Sequence, residues 1–316
     1  MSTATQVAPL SYIKPHNGFF LRRAVNAVML TLTGLATLLA IIPLVWIIIH
    51  VVVTGGKYIS LDLFIRMPAP LGTPGGGVLP ALEGTILTTI LSTLFSVPVA
   101  ILAAFYAANR PNTPLGIAVR FGTDVLAGVP SIVIGLFGYA VIVRPQGHYS
   151  GLAAGVAVAI VMLPTIIRTT EEMLKLVPKS LREASLALGA PEWKTSLSVL
   201  LPAAATGVVT GIMLAIARGV GETAPLLFTA LGNDRYDAVQ IVTSGVQGHL
   251  PLLTILNRMI DQPVDGLTLT MWKYAQQPFP ERIQQSWAVA LVLMLFVLFT
   301  NILVRWVVAR GQNVGR

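Results

Sequence analysis

The sequence predicts an all-α membrane protein: six transmembrane helices, with one polar helical loop between the fourth and fifth. Three observations lead there. The chain of 316 residues is 54% hydrophobic and only 11% charged, with a mean hydropathy of +0.77, whereas soluble domains carry about 25% charged residues. Six segments, approximately 24–54, 82–108, 117–143, 152–170, 203–230 and 287–309, are mostly apolar, and a spanning helix needs roughly 20 such residues. Their length and scarcity of charge favour helices over barrel strands, which would alternate over about 10 residues.

Taken in order, Arg22 and Arg23 precede the first apolar run, which is too long for the roughly 7–15-residue core of a cleaved leader. Residues 1–23 are therefore read as a tail and 24–54 as a retained signal-anchor span. Glu83 opens the second span, where a carboxylate suits the positive end of the helix dipole. The third span carries Asp124, read as a near-interface cap, and then Leu126-Ala-Gly-Val-Pro-Ser-Ile-Val-Ile-Gly-Leu-Phe-Gly138. Pro130 there frees a backbone carbonyl, and Gly128, Ser131, Gly135 and Gly138 offer a close-packing face.

The fifth span places Arg218 and Glu222 near its middle, four residues apart and so on one helix face. A central charge costs roughly 2.5–3.5 kcal/mol on insertion scales, which implies a compensating role. Two readings stand side by side. The pair neutralises itself as a structural element, or it faces a polar pathway where Arg218 engages an anion and Glu222 tunes its grip. Gly219, Gly221 and Pro225 allow close packing or a local break. After the sixth span, residues 311–316 form a short tail. The loops at 55–81 and 231–286 hold Pro and Gly clusters and read as irregular, with room for short interfacial helices.

Basic residues set the orientation. Thirteen of the 21 Lys and Arg fall on the side of the N-terminus, seven on the other and Arg218 within a span. The positive-inside rule then puts both termini and the 171–201 loop in the cytoplasm. The net charge of +8 follows from this asymmetry, with membrane lipid as the partner and no call for nucleic acid.

The 171–201 loop is a polar interruption in an oily chain. Leu174, Val177, Leu181, Ala184 and Leu188 recur at helical spacing. Pro178 kinks or restarts a helix, Ser180 and Glu183 stand in capping-box spacing, Gly189 suits a helix C′ position, and Pro191 suits the first turn of a second helix. The outcome is a knuckle whose tip carries Glu192, Trp193 and Lys194.

Within it, Glu183-Ala184-Ser185, three residues, Gly189, nine residues, then Val199-Ser-Leu201-Pro202 resembles the EAA motif of ABC importer permeases. Ser185 stands where that motif has Ala, and Val199 where it has Ile. The segments 76–85, 126–138 and 217–228 resemble the phosphate-specific importer permeases, and Ile260–Phe279 is similar to the PstA-type rather than the PstC-type branch. The resemblance covers roughly residues 20–310.

The resemblance implies a type I ABC importer permease fold over 24–310, with 171–201 as the coupling loop. It implies that Glu183, Ala184 and Gly189 shape the coupling helix, and that Ala190, Pro191, Glu192, Trp193 and Lys194 touch an ATPase. Arg218, Glu222 and Thr223 are the substrate-pathway residues it suggests. The implied partners are a PstC-like second permease, two copies of a PstB-like ATPase and a PstS-like phosphate-binding protein, with phosphate as the cargo.

The chain has no cysteine, and its four histidines, His16, His50, His148 and His249, lack metal-ligand spacing. Its one Gly-Lys pair, Gly56-Lys57, is followed by Tyr58, so the chain contains no phosphate-binding P-loop. ATP and its Mg would therefore sit on the partner ATPase, with no cofactor and no catalytic or metal residue in this chain. An ABC permease for molybdate or sulfate is the first rival. A secondary transporter should show inverted repeats, which are not evident, and a scaffold has little reason to bear buried charge. No nucleophile–base constellation supports an enzyme.

Overall fold

The computed structural model describes residues 18–73 and 75–313, with side chains described as far as Trp306. Most of the 1–23 tail, including Lys14 and His16, and Arg316 in the 311–316 tail, lie outside the described residues. The chain forms two compact units that meet between Val52 and Val53. The first is dominated by α1 (Gly18–Gly56). Along it, Thr31, Thr33 and Thr37 each donate a hydroxyl hydrogen bond to the carbonyl four residues back, which satisfies polar groups without leaving the apolar helix.

The second unit holds the remaining elements. These are α2 (Leu61–Ile65), α3 (Leu79–Asn109), α4 (Pro114–Gly128), α5 (Ser131–Gln146), α6 (Gly151–Leu176), α7 (Lys179–Ala187), α8 (Glu192–Val220), α9 (Ala224–Thr229), α10 (Ala238–Gln247), α11 (Leu252–Ile260), α12 (Leu267–Ala275) and α13 (Pro280–Asn313). Among the described residues five helices are long and apolar enough to cross a membrane, and six if α4 and α5 count as one span. The only strand-like pairing among them is one isolated bridge, Pro68 to Gly76. The all-α class and the number of spans match the expectation.

α6 is the central helix. Ala153, Ala154 and Ala157 are fully buried along it, and Val158, Met162 and Ile166 continue the seam into a cluster with Ala100 and Ala104 of α3 and Ala215 of α8. Small side chains let these backbones approach closely, which is how membrane helices gain dispersion contact without a hydrophobic drive between them.

Prolines set some of the helix ends, although Pro43, Pro98 and Pro164 lie within α1, α3 and α6. A proline disfavours the helical conformation of the residue before it, and Val129 and Val177 are both extended, with ψ of 128° and 129°. Each precedes a proline and ends α4 and α6 respectively. The third span is therefore not continuous over 117–143: α4 and α5 meet at Val129-Pro130 at an angle of 105°. The fifth span is also corrected. α8 begins at Glu192 and ends at Val220, rather than running 203–230. Pro225 explains the break, because its ring would clash with the Gly221 carbonyl in a continuous helix. α8 passes through a π-turn at Ser196–Leu200 and α5 through one at Tyr139–Val143, each a local widening of the helix.

The two broken spans meet one another. α9 lies against α5, where a Cβ on Gly135 would come within 2.9 Å of the Pro225 Cα. Gly138 makes a similar approach to Thr229 and Ala157, whereas a side chain on Gly128 would meet open space. Half of the expected small-residue face thus packs closely. The 231–286 segment is far more ordered than its Pro and Gly content suggests. It forms α10, α11 and α12, and the last is buried through Leu267, Leu269 and Tyr274 against α3 and α13.

Candidate functional site

Arg218 and Glu222 do form a pair, with Nε 3.5 Å from Oε1. They do not sit in mid-helix. Arg218 lies two residues from the end of α8, and Glu222 follows that end in the break before α9. The Arg218 side chain is 47% exposed and that of Glu222 16%. Exposure in a membrane helix is tolerable where the side chain faces a partner subunit or a water-lined path. The Thr268 hydroxyl of α12 donates to the Glu222 carbonyl at 3.2 Å, which fastens the break to the buried short helix. Thr223 is half-buried and is the N-cap of α9, without a side-chain capping bond. Its carbonyl accepts from Leu227 N–H. The structure therefore brings Arg218, Glu222 and Thr223 together at one helix break.

The knuckle is built from α7, a Gly-Ala-Pro turn and the start of α8. Gly189 adopts φ +80°, a conformation open to glycine at a helix C′ position, and its N–H bonds the Leu186 carbonyl at 2.9 Å. Two local expectations are corrected. The N-cap of α7 is Pro178, which gives no side-chain cap, so the Ser180–Glu183 capping box does not form. Pro191 is the N-cap of α8 rather than a residue of its first turn, because its ψ of 155° is still extended. The second helix of the knuckle continues as α8 into the fifth span.

What holds the knuckle was not foreseen from sequence. The Ser185 and Thr195 hydroxyls bond across the turn at 2.9 Å. Ser185 is the motif departure noted above, and its hydroxyl gives the buried Thr195 a partner. Glu192 pairs with Arg110 at 3.2 Å and faces Arg182 at 3.7 Å, and Asn109 donates to Ser196 Oγ at 3.1 Å. The knuckle is thereby fixed to the end of α3. Glu183, Ala184, Pro191, Glu192, Trp193 and Lys194 remain exposed, as does Gly189, while Ala190 is half-buried. The expected apolar face is only anchored at one end. Leu174 is buried, but Leu188 is 89% exposed and Trp193 67%. Beside Trp193 runs a groove of about 290 Å³ lined by Leu102, Phe105 and Leu197.

A second ionic cluster ties α4 to α6. Arg120 Nε donates to the buried Glu171 carboxylate at 2.6 Å, and its terminal nitrogens reach the Ala107 carbonyl in the last turn of α3 and the Pro111 carbonyl in the turn after it. Lys175 completes the site at 2.7 Å. Asp124 pairs with Arg168 at 3.1 Å, so it bridges helices instead of capping one. Glu83, in turn, serves a different helix from its own. Its carboxylate accepts from Ala238 N–H at 2.7 Å, at the start of α10, where four backbone N–H groups lack intrahelical partners.

At the end of the spans opposite the knuckle, Asp265 and Lys273 of the 261–275 region form a buried pair at 3.0 Å, with the Asp265 side chain 1% exposed. Thr270 Oγ1 and Gly266 N–H also donate to Asp265. Lys273 reaches Asp234 at 2.6 Å. Burial works against the Lys273 ammonium, but Asp265 and Asp234 outweigh it and hold its pKa above the usual lysine range. The sequence signal for this cluster was three ordinary surface-type residues in a segment read as loop.

His148 lies at the same end, on the turn before α6, and bonds Asp261 at 3.1 Å. That hydrogen bond holds the imidazole pKa above its ordinary value. A raised histidine pKa stabilises the fold fully below the unfolded value of about 6.5, and the contribution fades as pH rises through the folded pKa. The thermal midpoint of the wild type should therefore drift downward as pH rises from about 6.5, and Asp261→Asn should remove that drift. Identical pH profiles for the two proteins would refute the linkage.

Residues 96–312 match the family described as the binding-protein-dependent transport system inner membrane component. The chain is 40% identical over 293 residues to the phosphate transport system permease protein PstA of Yersinia pestis, covering 92% of each. It is 39% identical to the PstA of Pasteurella multocida, over 91% of this chain and 95% of that protein. It is 34% identical to PstA 1 of Mycobacterium tuberculosis strain H37Rv, over 92% and 91%. Among solved structures, a chain of the MetNI methionine ABC transporter in an inward-facing form superposes with a TM-score of 0.50. It shares 20% identity and covers 73% of this chain and 94% of that one, a likeness of fold alone. On these matches the chain belongs to the family of binding-protein-dependent transport system inner membrane components, within its PstA branch.

Proposed function

We propose that the chain is the permease subunit of an ATP-driven importer that moves inorganic phosphate across the cytoplasmic membrane, with both termini in the cytoplasm. The observation that carries this reading is the 40% identity, over 92% of the chain, to a protein named as a phosphate transport permease. In this reading the exposed knuckle docks on a PstB-like ATPase, which holds ATP and Mg. Leu188 and Trp193 supply the apolar contact and Lys194 a charge. A PstC-like permease completes the pathway, a second ATPase copy sits beneath it, and a PstS-like protein delivers phosphate from outside.

Arg218 offers a guanidinium whose fork matches a phosphate oxygen pair. Glu222, at 3.5 Å, competes for that guanidinium, so the anion is held only transiently. Alternating access then requires that ATP binding favour one arrangement of the permeases over the other, transmitted through the knuckle to α8.

Vesicles holding the full complex test this. Wild type is expected to take up phosphate on ATP addition, and Arg218→Gln to lose at least tenfold of that rate while still co-purifying with the ATPase. Normal uptake by an assembled mutant would make the pair structural. Uptake of molybdate or sulfate in place of phosphate would replace the substrate but leave the architecture.

A further inference from the structure

Arg282, in the first turn of α13, is 3% exposed, yet its guanidinium forms no ion pair among the described residues. It donates to the Ala69 carbonyl and to Gln285 Oε1 and lies 4.7 Å from the centre of the Tyr274 ring. Its Nε has no partner. Neither does the Tyr274 hydroxyl nor Gln277 Oε1. These three residues line a single cavity of about 550 Å³, which Arg235 and Gln240 also border.

A buried cation with no carboxylate in contact is costly, because the one acidic group that acts on it, Asp234 across the cavity, replaces only part of its lost hydration. Asp265 and Lys273 show the usual remedy close by. Asp234 also borders the cavity, but Lys273 already holds it at 2.6 Å. The cavity therefore combines two arginines, a buried phenol and an amide that can turn either end inward. Burial pushes the Tyr274 pKa up to about 12, so its hydroxyl keeps its proton to donate. A water molecule takes up about 30 Å³, so a small tetrahedral anion fits with part of its water shell.

We propose that this cavity is an oxyanion site of the phosphate class, with Arg282 as the buried cation and Arg235, Tyr274 and Gln277 completing the donor set. The identity of the anion rests on the phosphate reading above. The site sits at the end of the spans opposite the knuckle, on different elements from Arg218 and Glu222, and so forms a separate stop on the path. An acidic side chain of a docked protein is the other anion that could meet Arg282. The depth of the guanidinium beneath the 67–71 segment favours a small free ion.

Equilibrium binding of radiolabelled inorganic phosphate to the full chain in lipid nanodiscs tests the assignment. Wild type is expected to bind saturably. Arg235→Glu and Gln277→Glu, at positions that are not fully buried, should each weaken binding at least tenfold, as should Arg282→Lys. Arg258→Gln, an exposed basic residue of α11 outside the cavity lining, should stay within about twofold of wild type. If sulfate or molybdate binds instead, with the same losses in the variants, the oxyanion site stands and the phosphate reading falls. Absence of saturable oxyanion binding, or unaltered binding by the charge-reversal variants, overturns the site. Loss of association with the phosphate-binding protein while anion binding persists would assign the cavity to a partner's acidic side chain and also overturn it.

Discussion

Asp265→Ala is expected to destabilise the chain by about 3–5 kcal/mol, the range for removing one member of a buried ion pair. The carboxylate is 1% exposed and accepts from Lys273, Thr270 and the Gly266 N–H. Alanine would leave a cation and two neutral donors facing a void. Lys273 retains Asp234 at 2.6 Å, but that carboxylate is 55% exposed, so solvent screens its pull. The thermal midpoint in nanodiscs should fall by on the order of 10 °C. Replacing both partners, as Asp265→Leu with Lys273→Met, should recover much of the loss, because a buried pair exchanged for apolar groups is often close to neutral. A single variant that melts with the wild type would show that Asp234 alone satisfies the lysine.

The second large effect is expected at Gly84, and its sign separates two forces. On helix propensity alone, Gly84→Ala should stabilise α3 by about 0.8–1 kcal/mol. But a Cβ there would lie 2.1 Å from the Asp265 carbonyl oxygen. That atom is backbone, so no side chain can swing away. α3 would have to retreat from the start of α12 and stretch the buried bond from Leu267 N–H to Thr85 Oγ1, now 2.8 Å. Overpacking of roughly 1–3 kcal/mol, with a strained buried hydrogen bond worth about 1–3 kcal/mol more, outweighs the propensity gain. Gly122→Ala is the matched control. Nothing lies within 4 Å of its built Cβ, and it should stabilise by about 0.5–1 kcal/mol. Denaturation of both variants beside the wild type should show shifts of opposite sign. Shifts of the same sign would mean that α3 yields freely at Gly84.

Hydropathy gave the all-α class and the six spans correctly, because a run of apolar residues is a local property. The breaks were half-legible. Pro130 and Pro225 were noted, but a sliding window cannot see that Pro225 ends α8 at Val220, since the residues on both sides are equally apolar. That is why Arg218 and Glu222 were expected in mid-span. The knuckle was legible through Gly189 and Pro191, whose backbone requirements are written in single residues. Its fastening was not, since Asn109 and Arg110 lie more than 80 positions from Ser196 and Glu192. The same holds for Arg282. In the sequence it is one basic residue in a polar stretch, and only packing against Ala69 and Tyr274 makes it a buried cation.

The contact of Gly135 with Pro225 constrains how the molecule can rearrange. Two rods pressed together without a gap cannot slide past each other, because each would have to ride over the other's backbone. α9 and the first turns of α5 therefore travel as one rigid block. The freedom is left to the joints that flank it, the extended Val129 on one side and residues 221–223 on the other. Arg218 stands on the last turn before the second joint, and Glu222 lies within it. Bending there alters the separation of the two charges directly, so their 3.5 Å spacing acts as a gauge of the joint angle.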